Sequence, residues 1–306
     1  MKNSVKVFSP GTVSNVGSGY DIMGFAFDGP GDILEIIIDR SGEIIIENRS
    51  DSDIPCDENN VIHPALRALL SQADKEYGAR VIIHRKISPG SGIGSSAASS
   101  AGAVFGANAL LGMPFNDLEL IDFALQGEKL VSGQAHADNV APCIMGGFTL
   151  VRSYKPLDVI SIPYPADLYC SVVHPALQLK TSESRSLVKS SVATSTAVQQ
   201  TGNASALIAG LILNDKKLIA RSVVDLIAEP ARKHLIPYYD EIKAAAISKG
   251  ALAFNISGSG PSVFAFTDSQ EKAENISEHI SGTLLLKGIK SMRYASAISG
   301  KGVRII

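Results

Sequence analysis

The sequence predicts an α+β fold in two domains, and three observations carry that reading. At 306 residues the chain is about twice an ordinary domain. Short β-branched runs and stretches of helical period are mixed through both halves, with no internal repeat. Between the halves, Ser153 to Asp167 carries Pro156, Pro163 and Pro165 and has no helical period, which places the domains at 1–155 and 156–306.

The elements follow in order. Val5, Val7 and Phe8 form a strand that Ser9-Pro10-Gly11-Thr12 should end, and a loop continues from Asn15 to Asp21. Ile33 to Ile38 and Glu43 to Glu47, joined by Asp39-Arg40-Ser41-Gly42, have the pattern of a hairpin. Asn60 to Glu76 has helical spacing at Ile62, Leu66, Leu69 and Leu70, and Val81 to His84 is a short strand. A glycine–serine loop from Ile87 to Ser99 feeds a helix of small residues. That helix ends near Leu111, where Gly112 suits the stop and Pro114 prevents continuation. Asn116 with Glu119 makes a capping box for a helix to about Val131, and Gly146 to Val151 is a turn and strand. In the second half Leu168 to His174 is a strand, and helices are expected over about 182–199, 203–214, 216–228 and 238–249. A strand–turn–strand unit over 251–267, a helix near 269–281 and a strand near 291–298 complete the pattern.

Composition narrows the function. Hydrophobic residues are 45% and charged residues 19%, the balance of a chain that can bury a core. A formal net charge of −2 argues against non-specific nucleic-acid binding, which needs a basic field to meet phosphate. Cys56, Cys143 and Cys170 are far apart and form no C-x-x-C pair, so neither a disulfide framework nor a zinc site is expected. No window approaches the ~20 apolar residues of a membrane span. Met1 to Ser9 has no apolar signal core, so a cytoplasmic location is the expectation.

The 27 glycines cluster, and the clusters carry the chemistry. Gly90-Ser91-Gly92-Ile93-Gly94-Ser95-Ser96-Ala97-Ala98-Ser99 runs straight into a helix. A helix start offers unpaired N–H groups and a positive dipole end, and glycines let the backbone curl so that several N–H groups meet one phosphate. The segment lacks the lysine of a P-loop, and Ser95 stands where a dinucleotide fingerprint needs its third glycine. Ser257-Gly258-Ser259-Gly260-Pro261-Ser262 between two apolar runs is, alone, a plain hairpin turn, and Gly17-Ser18-Gly19 a plain loop.

Together, in this order, the three loops resemble those of the GHMP kinases, over nearly the whole chain. Gly90 to Ser99 is similar to the family's ATP loop, P-x-x-x-G-L-G-S-S-A-A, and Asn255 to Ser262 to its third glycine motif. Four segments resemble the homoserine kinase branch: Asn15-Val16-Gly17-Ser18-Gly19-Tyr20-Asp21-Ile22-Met23-Gly24; Glu128 through Ser132-Gly133, His136 and Asp138-Asn139-Val140-Ala141-Pro142; Thr181 with Arg185; and Glu229-Pro230-x-Arg232. The departures are mild. Ser88 fills the usual proline place with Pro89 beside it, Ile93 replaces Leu, and Ser18 replaces the commoner Pro.

The resemblance implies an N-terminal ribosomal-protein-S5-domain-2-like domain and a ferredoxin-like C-terminal one, with ATP, Mg²⁺ and a small alcohol in the cleft between. For the homoserine kinases the reaction gives O-phospho-L-homoserine and ADP on the route to threonine, and a homodimer is usual. The nucleotide would lie on Pro89, Gly90, Ser91, Gly92, Ile93, Gly94, Ser95, Ser96, Ala97, Ala98 and Ser99, backed by Gly258, Ser259 and Gly260. Glu128 with Ser96, or its neighbour Ser95, would hold Mg²⁺, since a carboxylate and a hydroxyl suit a hard cation. L-Homoserine carries a carboxylate, an ammonium and a hydroxyl. Arg185 and Arg232 are candidates for the carboxylate, because a planar guanidinium pairs with it in two bonds. Asp21, with Asn15, would take the ammonium, and His136 and Asn139 would line the substrate side. For proton transfer Asp138 is the candidate base. The favoured alternative is base-free, with Asn139, Thr181 and a water orienting the hydroxyl. Another small-alcohol kinase of shikimate or mevalonate type, a decarboxylase or isomerase on this fold, and a ligand sensor stay open.

Overall fold

A computed structural model describes residues 4–132 and 136–306. Gly133, part of the segment after Glu128, lies outside the described residues. The first half contains β1 (Ser4–Ser14), β2 (Met23–Asp39), β3 (Ile44–Asn48), α1 (Ile62–Leu70), β4 (Gly78–Arg85), α2 (Ser95–Leu110), α3 (Asp117–Ser132), α4 (Ala137–Met145), β5 (Phe148–Tyr154) and β6 (Leu157–Ile162). The second contains β7 (Tyr169–Pro175), α5 (Thr181–Ser186), α6 (Thr194–Leu213), α7 (Lys216–Ser222), α8 (Glu229–Arg232), α9 (Tyr239–Ser248), β8 (Ala253–Ile256), β9 (Val263–Thr267), α10 (Gln270–Leu286), β10 (Ser291–Ala297) and β11 (Arg304–Ile305).

Two sheets result, one built from the first half with β11 added from the second, the other wholly from the second half. The larger has the order β11-β1-β2-β4-β3, with β5 paired to β2 and β6 to β5. The smaller, antiparallel sheet has the order β10-β7-β9-β8. The helix α2 lies on β1 and β2, and α10 lies on β7 and β10. An aromatic cluster joins the sheets: Phe25 of β2 meets Phe266 of β9 at 5.3 Å between ring centroids, and Phe148 of β5 meets the same ring at 5.9 Å. All three rings are buried. The cleft above them therefore has its two walls fixed on one packed core.

The structure departs from the sequence reading in several places, each for a local reason. The strand β1 runs through Ser9-Pro10-Gly11-Thr12 instead of stopping there. A register shift between Pro10 and Thr12 absorbs the proline, and β11 pairs only at Val7 and Phe8, so no ladder bond is asked of Pro10 on that side. The expected hairpin of 33–38 with 43–47 is absent. The strand β4 lies between β2 and β3, antiparallel to the first and parallel to the second. The helix expected over 60–76 is the shorter α1. Helix α6 continues through Gly202-Asn203, where a break was expected, because Gln200, Ala204, Leu207 and Leu211 keep one buried stripe across the glycine. Residues 223–228 are not helical; the Asp225 carboxylate accepts the N–H groups of Ile227, Ala228 and Glu229 at 2.7–2.9 Å, which starts α8. Within 153–167 the chain forms β6. The capping box is present in both directions, with Asn116 N–H to Glu119 Oε2 at 2.8 Å and Glu119 N–H to Asn116 Oδ1 at 3.1 Å.

Beyond the strand expected near 291–298, the sequence pattern assigns no element. Residues 298–306 cross back to the larger sheet: Ser299 N–H bonds Ala26 O, Val303 N–H bonds Cys143 O and Ile306 N–H bonds Lys6 O, at 2.8–2.9 Å.

Candidate active site

The site is built on backbone packed against backbone. Gly90, Gly92 and Gly94 have φ of 71°, 79° and 71°, a left-handed series that glycine takes without a steric penalty. A Cβ on Gly92 would sit 2.6 Å from Gly260 O and 2.9 Å from Ser257 O. The second glycine loop thus lies directly behind the first, and it is fastened there. Ser257 Oγ donates to Gly92 O at 2.7 Å and Ser262 Oγ to Ser91 O at 2.6 Å. The first helical bond of α2 is Ala98 N–H to Gly94 O, so the N–H groups of Ser95, Ser96 and Ala97 have no acceptor within the helix. With the positive end of a 16-residue helix behind them, they form an anion cradle.

The two serines divide their roles. Ser95 Oγ donates to Ile87 O at 2.7 Å and accepts from Lys86 Nζ at 2.5 Å, so its hydroxyl is committed to the loop. The Lys86 side chain is buried and pairs with Asp32 at 3.2 Å, while Asp32 also accepts hydrogen bonds from Ile87 N–H and Ser99 Oγ–H. Ser96 instead hydrogen-bonds Glu128, the buried carboxyl facing it from α3. Burial pushes Glu128 up to about 7, against the pull of Ser96 and Lys86.

The other end of the cleft is polar and charged. Asn15 stands at φ 69° with Val16 at φ 43°, a strained conformation for a β-branched residue, and Val16 is wholly buried. The strain is held by Asn15, whose Nδ2 donates to Gly258 O at 2.8 Å and whose Oδ1 accepts Asp21 N–H at 3.0 Å. Asp21 and Arg185, assigned to opposite charges of a substrate, here hold each other through two bonds of 2.9 Å. Burial lowers the pKa of His136, whose Nδ1 lies 3.7 Å from Asp21 Oδ1. Arg232 is 2% exposed and donates to two backbone oxygens, Ser184 O at 3.2 Å and Gly258 O at 3.1 Å, with the Tyr20 ring beneath it. It has no carboxylate partner among the described residues. Glu229 of the same motif is structural, bonded to Asn255 Nδ2 at 2.8 Å and Lys243 Nζ at 2.5 Å.

On α4, Asn139 accepts from Thr12 Oγ1 and donates to Ser14 Oγ, both at 2.8 Å, so its amide is fixed next to Gly94. Asp138 is buried, and burial with the nearby Asp21 charge pushes it up to about 7. Thr181, at the start of α5, lies 3.4 Å from Ser259 Oγ.

One cavity of about 320 Å³ gathers these groups. Its wall includes Asn15, Asp21, Glu128, His136, Asp138, Asn139, Thr181, Arg185 and Arg232, with Pro89, Gly90, Ser91, Gly92, Gly94, Ser95, Ser96, Ser99, Gly258 and Ser259. Four residues placed on the nucleotide site are not on the wall. Ile93, Ala97 and Ala98 point into the core, and Gly260 backs Gly92 from behind. Sequence reasoning missed Lys86, Ser14 and the rim of Ile54, Pro55, Asn59, Asn60 and Val61 on the wall, and also Thr12 and Tyr154, which hydrogen-bond the wall residues Asn139 and Asp21. Only Lys86, a cation just before the loop, left a readable signal.

A phosphate cradle facing a charged pocket across a two-sheet core defines a small-molecule kinase, and the chain belongs to the GHMP kinase family. The family's N-terminal domain matches residues 60–147 and its C-terminal domain residues 207–284. Within it the chain is similar to homoserine kinases throughout. The homoserine kinase of Chlorobium phaeobacteroides is 42% identical over 318 aligned residues, covering 99% of both chains. That of Pyrococcus abyssi is 37% identical, over 86% of this chain and 88% of its own. The crystal structure of homoserine kinase from Cytophaga hutchinsonii superimposes with a TM-score of 0.95 at 44% identity, covering 100% of this chain and 98% of that one. Among the described residues no helix is long and apolar enough to cross a membrane.

Proposed function

We propose that this chain transfers the γ-phosphoryl group of ATP to the side-chain hydroxyl of L-homoserine, giving O-phospho-L-homoserine and ADP. The observation that carries the reading is Arg232, a buried guanidinium on the cavity wall without a carboxylate among the described residues, beside the Asp21–Arg185 pair. A ligand with a carboxylate and an ammonium suits all three. Its carboxylate goes to Arg232 and Arg185, and its ammonium to Asp21, so every charge that is uncovered is covered again. An alcohol with only one charge would part the Asp21–Arg185 pair and leave one half of it without a partner.

The rest of the wall positions the reaction. The N–H groups of Ser95 to Ala97 hold the phosphates, and Asn139, locked by Thr12 and Ser14, faces the acceptor hydroxyl with Thr181. The hydroxyl oxygen bonds to the γ-phosphorus, the bridge to the β-phosphate breaks with its electron pair going to ADP, and the hydroxyl proton passes to a transferred phosphoryl oxygen. Such transfer depends mainly on alignment and charge neutralisation. Among the described residues no three His, Cys, Asp or Glu side chains gather as a metal cage. One carboxylate and one hydroxyl, Glu128 and Ser96, fit an Mg²⁺ that keeps phosphate oxygens and waters as its other ligands. When bound, that ion supplies positive charge to the phosphate oxygens. The reading carries with it a homodimer and a cytoplasmic location.

The test is ADP release with Mg-ATP across L-homoserine, D-homoserine, L-serine, L-threonine, shikimate and mevalonate, with the product identified by mass. Preference for L-homoserine is expected; turnover of shikimate or mevalonate in its place would discard the zwitterion pocket.

Asp138 gives a separate expectation. As positioning without a base suffices, Asp138→Asn should keep kcat within about tenfold, whereas a loss of ~10²–10⁴-fold would make it the base. The same variant tests the burial cost. Because the folded-state pKa, about 7, lies above the unfolded value, the folded state binds the extra proton between about pH 4 and 7, and stability falls as pH rises through that window. Asp138→Asn should therefore raise Tm at pH 8 by several degrees and leave it nearly unchanged at pH 4. Equal effects at both pH values would exclude a buried carboxyl held near neutrality.

A further inference from the structure

We infer that Tyr154 is a positioning residue for the acceptor half of the cleft, its hydroxyl clamping Asp21 to the start of α4. Tyr154 is the last residue of β5, and no motif marks it. Its hydroxyl donates to Asp21 O at 3.0 Å and accepts Ala137 N–H at 3.2 Å. Each bond does something the local chain does not do for itself. Ala137 opens α4, so its N–H has no acceptor within the helix, and His136 at the cap position makes no side-chain cap bond. The tyrosine hydroxyl supplies that cap from another strand. Asp21 stands at φ 60°, a conformation unfavourable outside glycine, with its N–H already taken by Asn15 Oδ1. Tyr154 holds its other side, leaving the carboxylate aimed at Arg185.

The clamp therefore ties Asp21 to the helix start that follows His136, its neighbour on the cavity wall. Burial, with the Asp138 charge nearby, pushes the phenol well above its usual range, so the proton needed to donate to Asp21 is always present. The nucleotide half is fastened by other bonds, those of Ser257, Ser262 and Lys86. Asn139 is tied independently to Thr12 and Ser14. Loss of the hydroxyl should then disturb acceptor binding and spare the ATP loop. At 36% exposure Tyr154 sits at the protein surface and its ring is kept in Tyr154→Phe, so removing one oxygen should not unfold the protein.

The inference rests on the alcohol-kinase reading above, and its test has one arm independent of that reading. Tyr154→Phe should raise KM for L-homoserine about 10-fold, with KM for ATP within twofold and Tm within about 2 °C of the parent. Tyr154→Leu should give the same KM split, since the hydroxyl and not the ring makes both bonds. Hydrogen exchange of the full-length protein should show faster exchange at the Ala137 amide in Tyr154→Phe, with α2 unchanged. If the parent turns over another alcohol, the same ratio is read with that alcohol, so failure of the substrate assignment is seen in the parent and failure of the clamp in the variant. An unchanged acceptor KM, an equal rise in both KM values, or unchanged exchange at Ala137 would overturn the clamp.

Discussion

Arg232→Met should raise KM for L-homoserine by about 10²–10³-fold while leaving KM for ATP within a few-fold. Removing one partner of a buried, hydrogen-bonded charge pair costs roughly 2–5 kcal/mol, and each 1.4 kcal/mol is tenfold. The effect should be large because the guanidinium is already stripped of water. It is 2% exposed, and burial lowers its pKa, so it gains more from an incoming carboxylate than a solvated arginine would. Methionine keeps much of the stem but loses the guanidinium over the Tyr20 ring and the donors to Ser184 O and Gly258 O, so a Tm fall of a few degrees should accompany the kinetic loss. Steady-state kinetics in both substrates separates the two effects. A homoserine KM within fivefold of the parent would remove Arg232 from carboxylate recognition.

Gly92→Ala should damage both stability and nucleotide binding. Its Cβ would meet Gly260 O at 2.6 Å, Gly260 C at 2.8 Å and Ser257 O at 2.9 Å, all backbone atoms, at a φ of 79°. The left-handed conformation costs an alanine about 1–2 kcal/mol and overpacking about 1–3 more. A total of roughly 2–5 kcal/mol corresponds to a Tm lower by roughly 5–15 °C. The folded fraction should also bind ATP at least tenfold more weakly, because the two loops must separate to admit the methyl. Gly282→Ala, in α10 with nothing within 4 Å of its Cβ, is the matched control and should be neutral or slightly stabilising. Thermal melts and nucleotide titration of both variants decide the matter. Parent-like stability and affinity in Gly92→Ala would show that the loops do not press on one another.

What the sequence revealed and what it hid follow a physical line. The glycine loops were readable because glycine, serine and a helix start in series have few other uses. The charged residues around the pocket were readable only as members of longer segments; Arg232 alone looks like any surface arginine. That Asp21 and Arg185 pair with each other was hidden, since 164 positions separate them and each had been assigned to a ligand. Tyr154 and Thr12 contribute one hydroxyl each from ordinary strands, a signal that local pattern does not contain. The same limit explains the fold errors. The strand β1 survives Pro10 because of what lies beside it, and β3 avoids β2 because β4, distant in sequence, takes the place between them.

The return of residues 298–306 to the larger sheet sets the order in which a nascent chain can mature on the ribosome. The loop at 90–94 emerges early, but β1, which carries Thr12 and Ser14, keeps an open edge until β11 is made, and α4 lacks its bond at Cys143 until Val303 arrives. A half-made chain would hold a sheet with an exposed pairing edge, the condition that invites aggregation or chaperone capture. Catalytic competence should therefore appear only after that segment clears the exit tunnel, and a split version of the enzyme should reassemble best when 298–306 is supplied fused to the N-terminal fragment.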